Sequence, residues 1–184
     1  MGYVLAIDVG TTNLKISITD MNQQLVSSFS KRHNAYVEVA SPKCEMDVQK
    51  IWKHLIECFD FFNFDVLNNV HTIAFTGQMH GVVQWSKNFS FDNRSTYSTL
   101  VTWEDGRCTK AFLRSIPMDD GRNLCSGYGF STLIHKYQFD FEEFGKFDYC
   151  GTIMDLFVWY LGKLDCVMCN CRVWTGKYQS AAGC

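Results

Sequence analysis

The amino-acid sequence predicts an α/β fold, and three features of its hydropathy pattern support this prediction. Three strand-like segments follow one another near the amino terminus, a segment with helical periodicity comes next, and strand-like and helix-like segments continue after it. This order is typical of α/β domains, in which helices bury one face against a sheet. The chain has 184 residues, which is enough for one sizeable hydrophobic core.

The first three predicted strands form an antiparallel meander. Residues 3–7 are an apolar run, and residues 15–20 alternate, with Ile16 and Ile18 on one face. Residues 24–33 follow after a short turn. Because short connections join neighbouring antiparallel strands, these segments are expected to pair in sequence order.

A helix is predicted within residues 42–62, with Asp47 as its cap. Its apolar residues recur at helical spacing and form one face: Val48, Ile51, Trp52, Leu55 and Phe59. Three further strands are expected, the first of them buried, at residues 70–77, 81–86 and 98–103. Three further helices are expected at residues 107–116, 129–140 and 152–162, the last ending at a glycine.

The composition and charge exclude several classes of protein. The net charge of −2 argues against a nucleic-acid partner or an anionic membrane surface. No apolar segment reaches membrane-spanning length, and Asp8 interrupts the first apolar run far short of a signal-peptide core. We therefore expect a cytoplasmic protein with reduced cysteines and no membrane partner.

The predicted turn after the first strand carries groups that suit a nucleotide phosphate. Gly10 allows the backbone to approach a ligand closely, and Thr11 and Thr12 add hydroxyl donors. Asp8 ends the strand, where its carboxylate can hold the water shell of Mg²⁺. The alternative is an ordinary β-turn that carries polar side chains and binds no ligand.

A second polar cluster follows the strand at residues 70–77. Gln78, Met79 and His80 lie between two glycines and offer an amide, a thioether and an imidazole on a loop. Such groups suit the hydroxyls of a small polar ligand. The alternative is that His80 caps a turn and Met79 fills space in the core.

A third cluster contains Trp103, Asp105 and Arg107. The indole can stack on the apolar face of a sugar ring, and the charged pair, with Glu104 beside it, can hydrogen-bond to hydroxyls. The alternative is a helix start, with Asp105 as the cap and Arg107 facing water.

Five segments of the chain, in this order, resemble the FGGY carbohydrate kinases. The similarity runs from about Tyr3 to about Leu164, and five ordered segments are more specific than any one of them. The segments are AIDVGTTNLKISITD, TGQMHGVVQW, VTWEDGRC, SGYGFSTLIHKY and CGTIMDLFVWYL.

The resemblance implies a ribonuclease-H-like fold of the actin/hexokinase type. Residues 1–164 would be the incomplete amino-terminal domain of a truncated two-domain sugar kinase, and residues 165–184 a divergent tail that is not native to the fold. ATP and the sugar meet between the two domains of such kinases. We therefore expect this fragment to be inactive alone.

The resemblance also implies an activity and its residues. It implies ATP and Mg²⁺ as cofactors and a small-molecule ketose as substrate, with sedoheptulose converted to sedoheptulose 7-phosphate. It places Asp8, Gly10, Thr11 and Thr12 at magnesium and the γ-phosphate. The expected sugar-pocket residues are Gln78, Met79, His80, Trp103, Asp105 and Arg107.

Three points about the activity stay open from the sequence. The general base of the family is an aspartate beyond the matched region, and neither Asp155 nor Asp165 is assigned to that role. Another kinase of the family, such as one acting on xylulose, is an alternative. A non-catalytic sugar-binding or regulatory protein is a second alternative.

Overall fold

The computed structural model describes residues 2–117 and 124–162. The chain divides into two compact units, each assembled from separate stretches of sequence. The first unit contains the described part of Met1–Ala35 and Asp47–Gln78, and the second contains Tyr36–Met46 and the described part of Met79–Cys184. The predicted tail at residues 165–184 lies outside the described residues.

The first unit is built on a four-stranded sheet with the order β3-β2-β1-β5. The sheet confirms the predicted antiparallel meander, since β1 pairs with β2, and β2 with β3, in antiparallel register. β5 instead pairs with β1 in parallel register. The strands are β1 (Tyr3–Val9), β2 (Asn13–Asp20), β3 (Leu25–Arg32) and β5 (Val70–Gly77).

The core of this unit lies between the sheet and helix α1 (Val48–Phe59). Alternate residues of β1 and β2 are buried on the face that α1 covers, as period-two alternation requires. Asp47 caps the helix as predicted, and its carboxylate accepts the Lys50 N–H at 3.2 Å. A one-turn helix, α2 (Phe64–Leu67), precedes β5. The buried apolar residues of this unit are Leu5, Ile7, Val9, Leu14, Ile16, Ile18, Ala35, Val48, Ile51, Leu55, Cys58 and Phe62.

The prediction that residues 70–77 form a buried strand is wrong in one respect. The strand is present as β5, but most of its residues are exposed, and Ile73 is 52% exposed. An apolar run is compatible with burial on both faces, but the run alone does not show which elements cover it.

Within the described residues, the second unit contains two small antiparallel sheets, four α-helices and a short 3-10 helix at Arg94–Thr96. β4 (Glu45–Met46) pairs with β7 (Leu100–Val101), and β6 (Val83–Trp85) pairs with β8 (Tyr149–Gly151). The helices are α3 (Lys110–Ser115), α4 (Gly129–Phe139), α5 (Phe141–Phe144) and α6 (Ile153–Gly162). The largest fully buried side chains of this unit are Met46, Trp85, Leu100, Ile153, Leu156 and Phe157.

The predicted helix at residues 107–116 begins later than the sequence indicates. Thr109 caps α3, and its hydroxyl accepts the Phe112 N–H at 3.2 Å. Asp105 is therefore not the cap. No helix within residues 2–117 or 124–162 combines the length and the apolar character that crossing a bilayer requires.

Candidate functional site

Asp8 lies near the end of β1, between two neighbouring strands. In the sheet register it is opposite Lys15 on β2 and Thr76 on β5. Its side chain is 37% exposed, and its carboxylate is 3.8 Å from the Lys15 ammonium, which is itself 62% exposed. Because an exposed ion pair at this distance is weak, the carboxylate remains accessible to a ligand.

The turn that follows β1 is fixed by a buried histidine. The Gly10 N–H donates to the Asn13 carbonyl at 3.0 Å, and the Gly10 carbonyl lies 3.1 Å from His33 Nε2. His33 Nδ1 accepts the Ala35 N–H at 3.2 Å, so the hydrogen-bond network assigns the proton to Nε2. Burial is the main cause that lowers the pKa of His33, which keeps this neutral form.

The four residues predicted to hold phosphate and magnesium are therefore close together. Asp8 and Gly10 flank the end of β1, Thr11 is half-buried, and Thr12 is exposed. The Gly10 N–H is engaged within the turn, so this glycine contributes the shape of the turn rather than a donor. No local sequence pattern indicates His33, because its role depends on a contact across 23 residues.

Gln78 directly follows β5, at the edge of the sheet where β1 also ends. β1 and β5 are parallel and end side by side at Val9 and Gly77. The Gln78 N–H donates to the Val9 carbonyl at 2.9 Å, and Gln78 is 6% exposed. The first residue of the predicted sugar cluster is thus hydrogen-bonded to the strand that carries Asp8.

The other predicted sugar residues belong to the second unit, where His80 has an unusual backbone conformation. Its φ is +69°, a left-handed value that is strained in a non-glycine residue unless its surroundings hold it. Its imidazole stacks on the Tyr128 ring at 4.4 Å and an interplanar angle of 21°. Tyr128 therefore orients His80, a role that the sequence pattern did not predict. Met79, beside it, is 56% exposed.

Trp103 presents its indole while its backbone is packed against a glycine. The residue is 50% exposed. Gly127 has a φ of +82°, and a Cβ there would lie 1.9 Å from the Trp103 carbonyl oxygen. This contact allows no side chain at position 127, so the loop position of Trp103 is tightly constrained.

Asp105 and Arg107 form a buried ion-pair network. The Asp105 carboxylate accepts the Arg107 Nε–H at 2.8 Å, the Arg107 backbone N–H at 3.0 Å and the Cys44 N–H at 2.7 Å. The exposed fraction of the side chain is 0% for Asp105 and 9% for Arg107. The alternative in which Arg107 faces water is therefore wrong, and both side chains hydrogen-bond to protein partners.

Glu45 completes this network from β4. Its carboxylate accepts the Arg107 guanidinium at 2.5 Å and the Thr99 hydroxyl at 2.5 Å. Burial is the largest single influence and opposes its ionisation, but these two hydrogen bonds and the positive charges of Arg107 and Lys136 together outweigh burial and lower the pKa of Glu45. The sequence did not indicate Glu45, since 62 residues separate it from Arg107.

The lowered pKa of Glu45 predicts a pH-dependent contribution to stability. The stabilisation is present above the ordinary pKa of 4.5 and is lost as the pH falls through the lower folded-state value. Glu45→Gln should cost about 1–2 kcal/mol at pH 7, and the difference from wild type should shrink in acid. Urea unfolding of both proteins at pH 7 and at pH 4 gives the difference in their free energy of unfolding at each pH. Glu38→Gln, at an exposed position, is the control; an equal loss at both pH values would contradict the prediction.

Asp155 also has a structural role. Its carboxylate accepts the Thr152 N–H and the Thr152 hydroxyl, both at 2.7 Å, at the start of α6. Burial is the main cause that raises the pKa of Asp155. These contacts occupy the carboxylate at a helix terminus, in agreement with leaving it unassigned as a general base.

An antiparallel meander followed by a helix and a parallel strand, with a carboxylate at the tip of the first hairpin, defines a class of protein. It is the ribonuclease-H-like fold of the actin and hexokinase type. A sequence model of the N-terminal domain of the FGGY family of carbohydrate kinases matches residues 3–120. The chain belongs to the FGGY family of carbohydrate kinases.

Individual relatives agree with this assignment. The chain is 33% identical over 175 residues to sedoheptulokinase from Mus musculus, covering 84% of this chain and 37% of that protein. It is 33% identical over 87 residues to xylulose kinase from Staphylococcus xylosus, covering 45% of this chain and 17% of that protein. Glycerol kinase from Plasmodium falciparum has the same fold, with a TM-score of 0.72, 17% identity, and coverage of 90% of this chain and 35% of that chain. The similarity thus covers about a third of the length of the sedoheptulokinase and of the glycerol kinase, and less of the xylulose kinase.

Proposed function

We propose that this chain is the amino-terminal part of an ATP-dependent kinase that converts sedoheptulose to sedoheptulose 7-phosphate. The hydrogen bond from Gln78 to Val9 carries the proposal, because it joins a predicted sugar residue to the strand bearing the predicted phosphate-site carboxylate. The similarity to a sedoheptulokinase over 84% of the chain supports this substrate.

The residues of the first hairpin suit Mg²⁺ and a nucleotide phosphate. Asp8 offers an accessible carboxylate, and Thr11 and Thr12 offer hydroxyls, which are the oxygen ligands and donors that such a site needs. When bound, Mg²⁺ neutralises charge on the transferring phosphoryl group. Asp8 would orient the water shell of the ion. The turn that hydrogen-bonds to His33 would set how closely the phosphate approaches the backbone.

The second unit supplies the proposed sugar contacts. Trp103 provides an exposed apolar platform for a sugar ring, and His80 provides an imidazole oriented by Tyr128. The direct contacts of Asp105 and Arg107 with sugar hydroxyls stay a prediction. Because both side chains are engaged by protein partners, their geometry favours positioning the loop that carries Trp103.

Trp103→Ala tests the stacking platform. We expect the dissociation constant for sedoheptulose to rise about tenfold, which corresponds to about 1.4 kcal/mol, because the indole shields the apolar face of the sugar ring from water. Isothermal titration calorimetry on the chain as given measures it. Tyr137→Ala removes a comparably exposed aromatic from α4, where 57% of the residue is exposed, and should leave the constant unchanged. Equal affinity in the wild type and Trp103→Ala would contradict the stacking role.

Two alternatives have different expected results. The similarity to a xylulose kinase favours xylulose as the second candidate substrate, and tighter binding of xylulose than of sedoheptulose in the same titration would select it. The other alternative is a non-catalytic sugar-binding protein, and it would be selected if a two-domain chimera carrying residues 2–162 bound sedoheptulose without turning over ATP. A cytoplasmic location remains a prediction from the sequence.

A further inference from the structure

The loop that carries Trp103 also carries an exposed carboxylate. Glu104 directly follows Trp103, and both residues are exposed. The carboxylate of the next residue, Asp105, is instead fully buried and accepts hydrogen bonds from protein donors. Of these two carboxylates, Glu104 is therefore the one that a bound molecule can reach.

Tyr36 orients this carboxylate from a distant part of the chain. Its hydroxyl donates to Glu104 Oε2 at 2.5 Å, across 68 residues. The backbone around Tyr36 is itself fixed, since it forms an antiparallel bridge with Met46, and the Val37 N–H donates to the Glu45 carbonyl at 3.0 Å. Partial burial is the main cause that raises the pKa of Tyr36, and the hydrogen bond to Glu104 raises it further, so the phenol keeps its proton and remains a donor.

The contacts of Glu104 with the protein leave one carboxylate oxygen available. The Tyr36 hydroxyl and the Cys44 thiol, the latter at 3.9 Å, both donate to Oε2. Within the described part of the chain, Oε1 accepts no hydrogen bond and Glu104 forms no ion pair. An ionised carboxylate has about four lone-pair sites and donates nothing, so it suits a ligand that presents hydroxyl donors.

Two exposed aromatic residues adjoin this carboxylate. Trp103 precedes it in the chain and is 50% exposed, and Tyr36, which donates to it, is 47% exposed. Aromatic rings cover the apolar face of a sugar ring, and a charged acceptor forms strong hydrogen bonds with the hydroxyls at its rim. This combination fits a neutral polyhydroxylated ligand, since a negatively charged ligand would be repelled by the carboxylate.

We propose that Glu104, oriented by Tyr36, accepts hydrogen bonds from neighbouring hydroxyls of the sugar that stacks on Trp103. This inference rests on the proposed function, because it requires the sugar to lie against the indole. Stacking alone lets a sugar ring rotate on an apolar surface, and a fixed polar contact at the edge of that surface sets its orientation. Glu104 is thus a binding residue, and Tyr36 is a positioning residue that acts through it.

Glu104→Gln tests the carboxylate. Isothermal titration calorimetry of sedoheptulose on the chain as given should show a dissociation constant at least about tenfold higher than in the wild type, because the amide lacks the charge and replaces one acceptor oxygen with a donor. The melting temperature should stay close to the wild-type value, since the residue is exposed. Glu142→Gln removes the same charge from an exposed position on α5 in the same unit and should leave the constant unchanged.

Tyr36→Phe tests the positioning residue, since it removes only the hydroxyl that donates to Glu104. The dissociation constant for sedoheptulose should rise severalfold, and less than in Glu104→Gln. In the Glu104→Gln background the same change should have little further effect, because Tyr36 acts through Glu104. Fully additive effects in the double variant would contradict the positioning role.

The titration of Trp103→Ala separates this inference from the proposed function. If Trp103→Ala weakens sedoheptulose binding and Glu104→Gln does not, the stacking platform stands and the role of Glu104 is rejected. If Glu104→Gln lowers the melting temperature together with the affinity, its effect belongs to the fold and the role is again rejected. If the wild-type chain shows no saturable binding of sedoheptulose or of xylulose, the proposed sugar site and this inference both fail.

Discussion

Asp8→Asn should reduce phosphoryl transfer at least about a hundredfold while sugar binding stays nearly unchanged. The substitution keeps the shape of the side chain but removes the charge that orients the water shell of Mg²⁺ beside the phosphate. The measurement needs an enzyme with both domains, which a chimera of residues 2–162 with the carboxy-terminal remainder of the Mus musculus sedoheptulokinase would provide. Turnover with ATP and Mg²⁺ gives the first quantity, and calorimetric titration of sedoheptulose gives the second.

Asp60→Asn is the matched control for this prediction. Asp60 ends α1 in the same unit and is exposed, so its change removes one negative charge away from the hairpin. Its turnover should match that of the unmodified chimera. If Asp8→Asn lowered sugar binding and turnover by the same factor, Asp8 would support the fold and not the phosphate.

Gly127→Ala should be the most destabilising single substitution that we describe. A Cβ at this position would lie 1.9 Å from the Trp103 carbonyl oxygen, and the φ of +82° disfavours alanine in addition. We expect a loss of about 3–5 kcal/mol, with a fall in melting temperature of about 10 °C. Thermal unfolding followed by circular dichroism measures it, and weaker sugar binding should accompany it because the Trp103 loop must move.

Gly145→Ala provides the comparison within the same unit. Gly145 has a φ of −74°, and a Cβ there would lie 3.3 Å from the Phe141 carbonyl oxygen, so the required adjustment is small. We expect a change within about 1 kcal/mol. A Gly127→Ala protein as stable as Gly145→Ala would show that the contact with Trp103 relaxes easily, and the constraint on the loop would have to be abandoned.

The elements that the sequence predicted well are those whose signals are local. The apolar run of β1, the alternation in β2, the apolar face of α1 and the cap at Asp47 each depend on residues a few positions apart, and each of these elements is present in the structure. The two-residue strand β4 and the three-residue strand β8 are too short to show a period. These strands form because they pair with strands that are distant in the sequence, β7 and β6 respectively.

The candidate site shows the same division. Asp8 and the turn after it stand out in the sequence because a carboxylate, a glycine and two threonines interrupt an apolar pattern. Glu45 and Tyr128 have no such signal, since their significance comes from Arg107 and His80 across long loops. The interpretation of Arg107 as a solvent-facing residue failed for the same reason, because its partner Glu45 lies 62 residues earlier.

The interleaving of the two units along the chain has a consequence for synthesis on the ribosome. All the residues of the first unit have been translated once Gln78 is added, whereas the second unit pairs Tyr36–Met46 with residues beyond Met79. Since folding proceeds in the order in which segments emerge, we expect the four-stranded sheet to form first. Glu45 therefore has no access to its ion-pair partner Arg107 until Arg107 has left the ribosomal exit tunnel.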